Sequence, residues 1–158
     1  MELDFTTLTE QQAFDYVVNF LRKQGVKSLR EDINSDMCLY RGIKGRKCAL
    51  GALMPDEVYD INLENLAAEQ LVELCRSKTR SVYGKLVIDN VDHPFWVWLQ
   101  EHAGLMGRLQ NAHDCFSASV WEIKWQEIAY YFKLIYTPPG DTNGPANSQQ
   151  PADTPSKS

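Results

Sequence analysis

The chain has 158 residues, of which 44% are hydrophobic, 11% aromatic and 23% charged, a profile typical of one folded domain with a buried core. Its 16 basic and 21 acidic residues give a formal net charge of −5, which disfavours a protein that binds nucleic acid through a broad basic face. The composition also excludes collagen, a coiled coil and a disulfide scaffold. The class that remains is a soluble, mostly helical intracellular domain.

The N-terminus and the cysteines predict a cytoplasmic protein with free thiols. Residues 1–9 carry acidic side chains where a secretory signal has basic ones, and no stretch reaches the ~20 apolar residues of a membrane span. The cysteines lack the CxxC spacing of zinc ribbons and thioredoxin-like sites. We therefore expect no membrane contact, no metal and no cofactor. An alternative metal site, whose ligand spacings match no known motif, would use Cys38, Cys48, His113 and Cys115.

Composition divides the chain after Tyr136. Residues 137–158 hold five of the seven prolines and no aliphatic or aromatic side chain larger than alanine. Such a segment buries too little apolar surface to offset the entropy of ordering. The sequence thus predicts a single helical domain over residues 1–136 and a disordered tail over 137–158.

Local signals predict the first helix most fully. Thr9 and Gln12 have the spacing of a capping box, in which each side chain accepts a hydrogen bond from the other residue's backbone. Gly25 suits the left-handed residue that ends many helices. Between these ends, one apolar stripe at helical spacing contains Phe14, Val17, Val18 and Leu21.

Three more helical segments follow, whereas segment 79–92 has no assignment. One runs from about 62 to 78 and has a charged, solvated outer face that includes Glu64. The next opens at Pro94, and glycines at 104 and 107 weaken it enough to divide it. The last begins with Ser119 and Glu122 as a capping box. Its apolar face, assigned to the core with three nearby tyrosines, contains Trp121, Trp125, Ile128, Phe132, Ile135, Tyr130, Tyr131 and Tyr136.

The segment from 37 to 59 follows neither helical nor strand periodicity. It contains YRG, a further glycine and the run KCALGALMPDEVY. Gly42 and Gly45 bracket a turn, so a short β-hairpin is predicted at about 37–48, with one or two helical turns after it. The predicted fold is mainly α: a small, bundle-like domain of four or five helices with one hairpin.

This segment and a later LQNAHD element resemble a motif of small uncharacterised proteins from bacterial genomes, phages and prophages. The motif is YRG-x2-G-x-KCA-x-GAL-x-PDE-x-Y, and the similarity covers residues 37–59 and 109–114 within a helical frame. The resemblance implies a bacterial or phage origin and a cytoplasmic location. It implies no activity and assigns no catalytic residue.

A cysteine hydrolase or transferase is the enzymatic alternative. Cys48 would be its nucleophile and His113 its base, because basic neighbours and a helix N-terminus lower the pKa of a thiol. Asp114 is predicted to orient that imidazole poorly, since adjacent residues do not face each other on a helix. Without a third group or an oxyanion donor, the site is incomplete.

Basic side chains around the predicted hairpin suggest a second alternative, a nucleic-acid-binding accessory protein. Its cations would contact phosphates and its tyrosine would stack on a base. The acidic net charge disfavours this function. The candidate binding residues are Tyr40, Arg41, Lys44, Arg46 and Lys47.

The leading hypothesis is a non-catalytic protein that binds another protein, such as an inhibitor or modulator of a host or defence complex. It depends on the resemblance and on the lack of a complete active site. The identity of the partner and the oligomeric state stay open. A Cys48 thiol within about 4 Å of a histidine nitrogen in an open cleft would favour the enzyme. A deeply buried Cys48 would favour the binding protein.

Overall fold

Helices dominate the computed structural model, which describes residues 3–30, 38–64, 66–77, 81–82, 85–86 and 91–140. The prediction of a mainly α fold is confirmed. The predicted tail falls largely on residues 141–158, outside the described residues. In chain order the elements are α1 (Glu10–Gln24), α2 (Ala49–Leu53), α3 (Ala68–Arg76), the antiparallel pair β1 (Ser81–Val82) and β2 (Lys85–Leu86), α4 (Pro94–Glu101), α5 (Ala103–Cys115) and α6 (Trp121–Phe132).

Helix α1 begins and ends at its predicted signals. Thr9 Oγ1 accepts the backbone N–H of Gln12 at 3.2 Å, and Gln12 Oε1 accepts the backbone N–H of Thr9 at 2.9 Å. Gly25 ends the helix with a φ of +67°, a backbone conformation that glycine adopts without a steric penalty. The predicted apolar stripe is buried, and its members are Phe14, Val17, Val18 and Leu21.

Helix α3 is shorter than the sequence predicts. A 3₁₀ turn occupies Ile61–Leu63, and the α-helix starts only at Ala68. Directly after the 3₁₀ turn, Glu64 is 8% exposed and turns inward. Its two carboxylate oxygens accept the backbone N–H groups of Tyr40 at 2.8 Å and Arg41 at 3.0 Å. The prediction that Glu64 lies on a solvated face is therefore wrong.

Helices α4 and α5 confirm the expected division of the third helical segment. The break lies at His102, whose φ and ψ of −111° and 23° are outside the helical region. Pro94 occupies the first turn of α4, where its missing N–H is not needed. The glycine at 104 follows the break by two residues and lies within α5.

Helix α6 differs from its prediction at both ends. The expected capping box is absent: Ser119 lies in a 3₁₀ turn, and Glu122 instead forms two 2.7 Å hydrogen bonds with the guanidinium of Arg22. The helix ends where Lys133 adopts a φ of +57°. Ile135 therefore lies beyond the helix and is 67% exposed, which contradicts its assignment to the core.

The predicted hairpin is reduced to a tight turn. Arg41 and Lys47 form a single antiparallel bridge around the 3₁₀ turn Ile43–Gly45. Cys38 pairs instead with Leu29, also through one bridge. Among residues 38–48, all of which are described, no strand forms.

The core surrounds α5, which packs against α2, α3, α4 and α6, while α1 covers α2. Large aromatic side chains fill it. Burying each of them contributes roughly 2–3 kcal/mol to stability. The largest fully buried aromatic residues are Phe14, Phe95, Trp96, Trp121 and Trp125.

Candidate functional site

A hydrogen-bonded group, here called the Asp114 network, lies at the C-terminal end of α5. His113 is fully buried and its ring stacks on Trp121. Its Nε2 atom accepts the backbone N–H of Ser28 at 3.2 Å, so Nδ1 carries the ring proton and donates to Asp114 Oδ1 at 2.8 Å. The network consists of Ser28, Cys38, Gln110, His113 and Asp114.

Asp114 is the central acceptor of this network. Gln110, one helical turn earlier, donates to both carboxylate oxygens at 2.9 Å. Burial alone would raise the pKa of Asp114, but hydrogen bonds from His113, Gln110 and Cys38 outweigh burial and lower it. The prediction that Asp114 orients His113 poorly is therefore wrong, because the carboxylate lies within hydrogen-bond distance of the ring of its neighbour.

Cys48 caps a short helix in the interior of the fold. It is fully buried at the N-cap of α2, where its sulfur accepts the backbone N–H of Gly51 at 3.3 Å. Burial raises the pKa of this thiol, the opposite of the shift expected from its basic neighbours and helix N-terminus. His113 offers it no base, since both ring nitrogens are already hydrogen-bonded.

The thiol beside His113 and Asp114 is that of Cys38. The three donor atoms lie within 4.8 Å of one another. Burial, and then the charge of Asp114, raise the pKa of Cys38 to about 12, so its thiol stays protonated. A metal ion would need the lone pair of His113 Nδ1, whereas the Ser28 N–H keeps the proton on that nitrogen. This donor set fits a hydrogen-bonded network better than a metal centre.

Two of the predicted binding residues are built into the fold. Tyr40 is 4% exposed and its hydroxyl donates to the carbonyl oxygen of Leu66. The Arg41 guanidinium pairs with Asp56 at 2.7 Å and lies over the ring of Tyr59 at 4.3 Å. Tyr40 therefore cannot stack on a base, and the charge of Arg41 is already paired.

The other three predicted binding residues lie in two different places. Lys44 is exposed at the tip of the 43–45 turn, and Arg46 lines the same groove. Lys47 lines a separate pocket that also contains Asp56. Burial lowers the pKa of Lys47, and the nearby Arg41 lowers it further. The structure thus brings Lys44 and Arg46 together and separates Lys47 from them.

The outer side of α6, here called the α6 face, exposes Ile123, Tyr130 and Tyr131. The exposed fractions are 57%, 89% and 62%, so assigning the two tyrosines to the core is wrong. The two tyrosines line a groove of about 910 Å³ between α5 and α6, in which Arg108 lies over the ring of Tyr131 at 4.0 Å. A sequence signal was available, because successive helical residues point about 100° apart and one helix cannot bury apolar side chains all round.

Comparisons with protein-family models, with curated proteins and with solved structures find no match for this chain. In the part of the chain that the structure describes, no helix has both the length and the apolarity needed to cross a bilayer.

Proposed function

We propose that the protein is a non-catalytic module that binds another protein through the α6 face. The observation that carries this proposal is the concentration of exposed apolar side chains on one helix. Among the described residues, seven large hydrophobic side chains are exposed, and three of them, Ile123, Tyr130 and Tyr131, belong to α6. Exposed tyrosine and arginine side chains are the types that most often dominate binding energy at protein interfaces.

Core packing and an ion pair hold the helix that carries the α6 face in position. Trp121 and Trp125 anchor the opposite side of the helix in the core. The bidentate pair between Arg22 and Glu122 attaches α6 to α1, and the hydroxyl of Tyr136 donates to the same carboxylate at 2.6 Å. A face held in this way loses little conformational entropy when a partner binds, which favours affinity.

The candidate catalytic side chains support the same proposal. Cys48 caps a helix, His113 has no free ring nitrogen, and the thiol of Cys38 is held protonated. The motif resemblance favours a bacterial or phage cytoplasm and a host or defence complex as the partner.

Affinity capture with tagged, full-length protein in a bacterial lysate tests the proposal. The double variant Tyr130→Ser, Tyr131→Ser should reduce recovery of the specific partner by about tenfold or more. Ile61→Ser is the matched control, because Ile61 is 69% exposed and does not line the groove. It should leave recovery unchanged.

Two outcomes would contradict the proposal. Equal recovery by the wild type and the tyrosine double variant would show that the α6 face is not the binding surface. Light scattering that shows a homodimer in the wild type and a monomer in the double variant would assign the face to self-association.

A further inference from the structure

A second surface, separate from the α6 face, carries a concentrated positive charge. This basic groove has a volume of about 540 Å³ and lies between the C-terminal end of α1 and the 43–45 turn. It shares no lining residue with the groove beside α6, and no carboxylate lines it among the described residues. Its lining residues are Phe20, Lys23, Gln24, Val26, Lys44, Gly45 and Arg46.

The three cations of the basic groove have no counter-charge within the described chain. Nearby cations are already partnered: Arg22 pairs with Glu122, and Lys27 donates to the carbonyl oxygen of Asp114 at 2.6 Å. In contrast, no ion pair or hydrogen bond joins the charged side-chain group of a groove cation to another described residue. The helix dipole accounts for the position of a lysine in the last turn of α1. It does not account for the two cations of the turn.

Hydrogen bonds join the two walls of the basic groove. Gln24 holds the backbone of Lys47 through two bonds, accepting its N–H at 2.8 Å and donating to its carbonyl oxygen at 2.9 Å. The carbonyl oxygen of Arg46 accepts the N–H of Gly42 at 2.8 Å and the hydroxyl of Ser28 at 3.2 Å. Because these bonds join the turn to α1, the groove exists before a ligand binds.

The apolar part of the groove lining distinguishes between possible anions. Phe20 is half-buried and Val26 is 41% exposed, so the cations share the groove with apolar surface. A polynucleotide presents a continuous run of phosphates, which three cations on a chain of net charge −5 would neutralise poorly. With Tyr40 buried, the predicted stacking platform for a base is also missing.

We propose that the basic groove binds an acidic peptide segment of a partner protein. Carboxylates of that segment lie against Lys23, Lys44 and Arg46, and an apolar side chain between them packs on Phe20 and Val26. This interaction depends on charge complementarity, so it weakens as the ionic strength rises.

Fluorescence polarisation with the full-length chain tests this proposal. The probe is a fluorescein-labelled peptide that repeats Glu-Glu-Leu, compared at low and at high salt with a peptide that repeats Gln-Gln-Leu. The acidic peptide should bind saturably, and the double variant Lys44→Gln, Arg46→Gln should weaken it by about tenfold. Arg76→Gln with Lys133→Gln is the matched control: it makes the same change in net charge at exposed positions outside the groove.

Several results would overturn the proposal. No saturable binding of the acidic peptide to the wild type would do so, as would equal weakening in both double variants. Tighter binding of a short oligothymidylate than of the acidic peptide, lost with Lys44→Gln and Arg46→Gln, would assign the groove to nucleic acid. None of these results bears on the α6 face, whose test uses different variants.

Discussion

The motif segment, residues 37–59, and helix α6 differ in how their sequences relate to the exposure of their side chains. The motif segment has an unusual sequence, and three of its distinctive side chains are buried or paired: Cys48 caps α2, Arg41 pairs with Asp56, and Tyr40 donates to a backbone carbonyl. Helix α6 has an ordinary helical sequence, yet it exposes two adjacent tyrosines. An unusual motif can therefore reflect the packing requirements of the backbone rather than a catalytic function.

This requirement for close backbone packing is clearest at Gly51. A Cβ atom there would overlap the carbonyl oxygen of Tyr40. Helix α2 therefore packs directly on the main chain of the YRG run, and only glycine permits that approach. The helix is only five residues long, so its position depends on such contacts rather than on its own hydrogen bonds.

The substitution Gly51→Ala should have the largest effect. The added methyl group meets backbone rather than a flexible side chain, so we expect a loss of about 3 kcal/mol or more, or failure to fold. Gly104→Ala, beside the α6 face, is the matched control. Its Cβ would lie 3.7 Å from the ring of Phe132, and alanine favours a helix over glycine by up to ~1 kcal/mol.

Chemical denaturation measures both free energies of unfolding. A Gly51→Ala variant as stable as the wild type would remove the structural explanation of the motif. Destabilisation by Gly104→Ala would show that the α5–α6 groove is packed more tightly than the structure indicates.

A smaller effect is expected when the acceptor at the end of α5 is neutralised. The pKa of Asp114 is lowered in the folded state, so the carboxylate contributes stability that is present above its unfolded pKa of about 3.9 and is lost as the pH falls through the lower, folded value. Asp114→Asn should therefore lower the melting temperature at pH 7 by roughly 4 °C. The difference from the wild type should narrow towards pH 3.

Thermal melts at both pH values check this expectation. Glu122→Gln is the comparison on α6, because the hydrogen bond from Arg22 lowers the pKa of Glu122 and predicts the same sign. A gap between Asp114→Asn and the wild type that stays constant with pH would show that the effect is steric rather than electrostatic.

The elements that the sequence predicts correctly are those whose determining contacts are local. The capping box of Thr9 and Gln12, the stripe of α1 and the left-handed Gly25 all lie within one helix, so spacing alone predicts them. The helical turns of α2 also follow from local signals, whereas the break between α4 and α5 lies at His102, before the glycines from which a division was predicted.

The residues that were predicted wrongly, or not at all, have partners that are distant in the chain. Glu64 has the spacing of a solvated helical residue, and only its contacts with backbone groups more than 20 residues earlier turn it inward. Cys38 and Asp114 are close in space but far apart in the sequence, so no spacing rule indicates their contact. Helical geometry indicates that α6 cannot bury all of its apolar side chains, but which of them are exposed, Tyr130 among them, depends on the side of α6 that faces α5.

The smallest effect on stability is expected when Cys48 is replaced. The same residue tests the enzymatic alternative, in which it is the nucleophile. Cys48→Ala removes one hydrogen bond to Gly51 and leaves a small void, so we expect a loss of about 1 kcal/mol and no change in partner binding. In the native protein, a thiol reagent should modify exposed Cys115 first and Cys48 last, with Cys48 reacting readily only in urea. Mass spectrometry of the labelled peptides measures the order. Fast labelling of Cys48 that is slowed by His113→Gln would instead support Cys48 as a nucleophile and His113 as its base. The motif would then have a catalytic role.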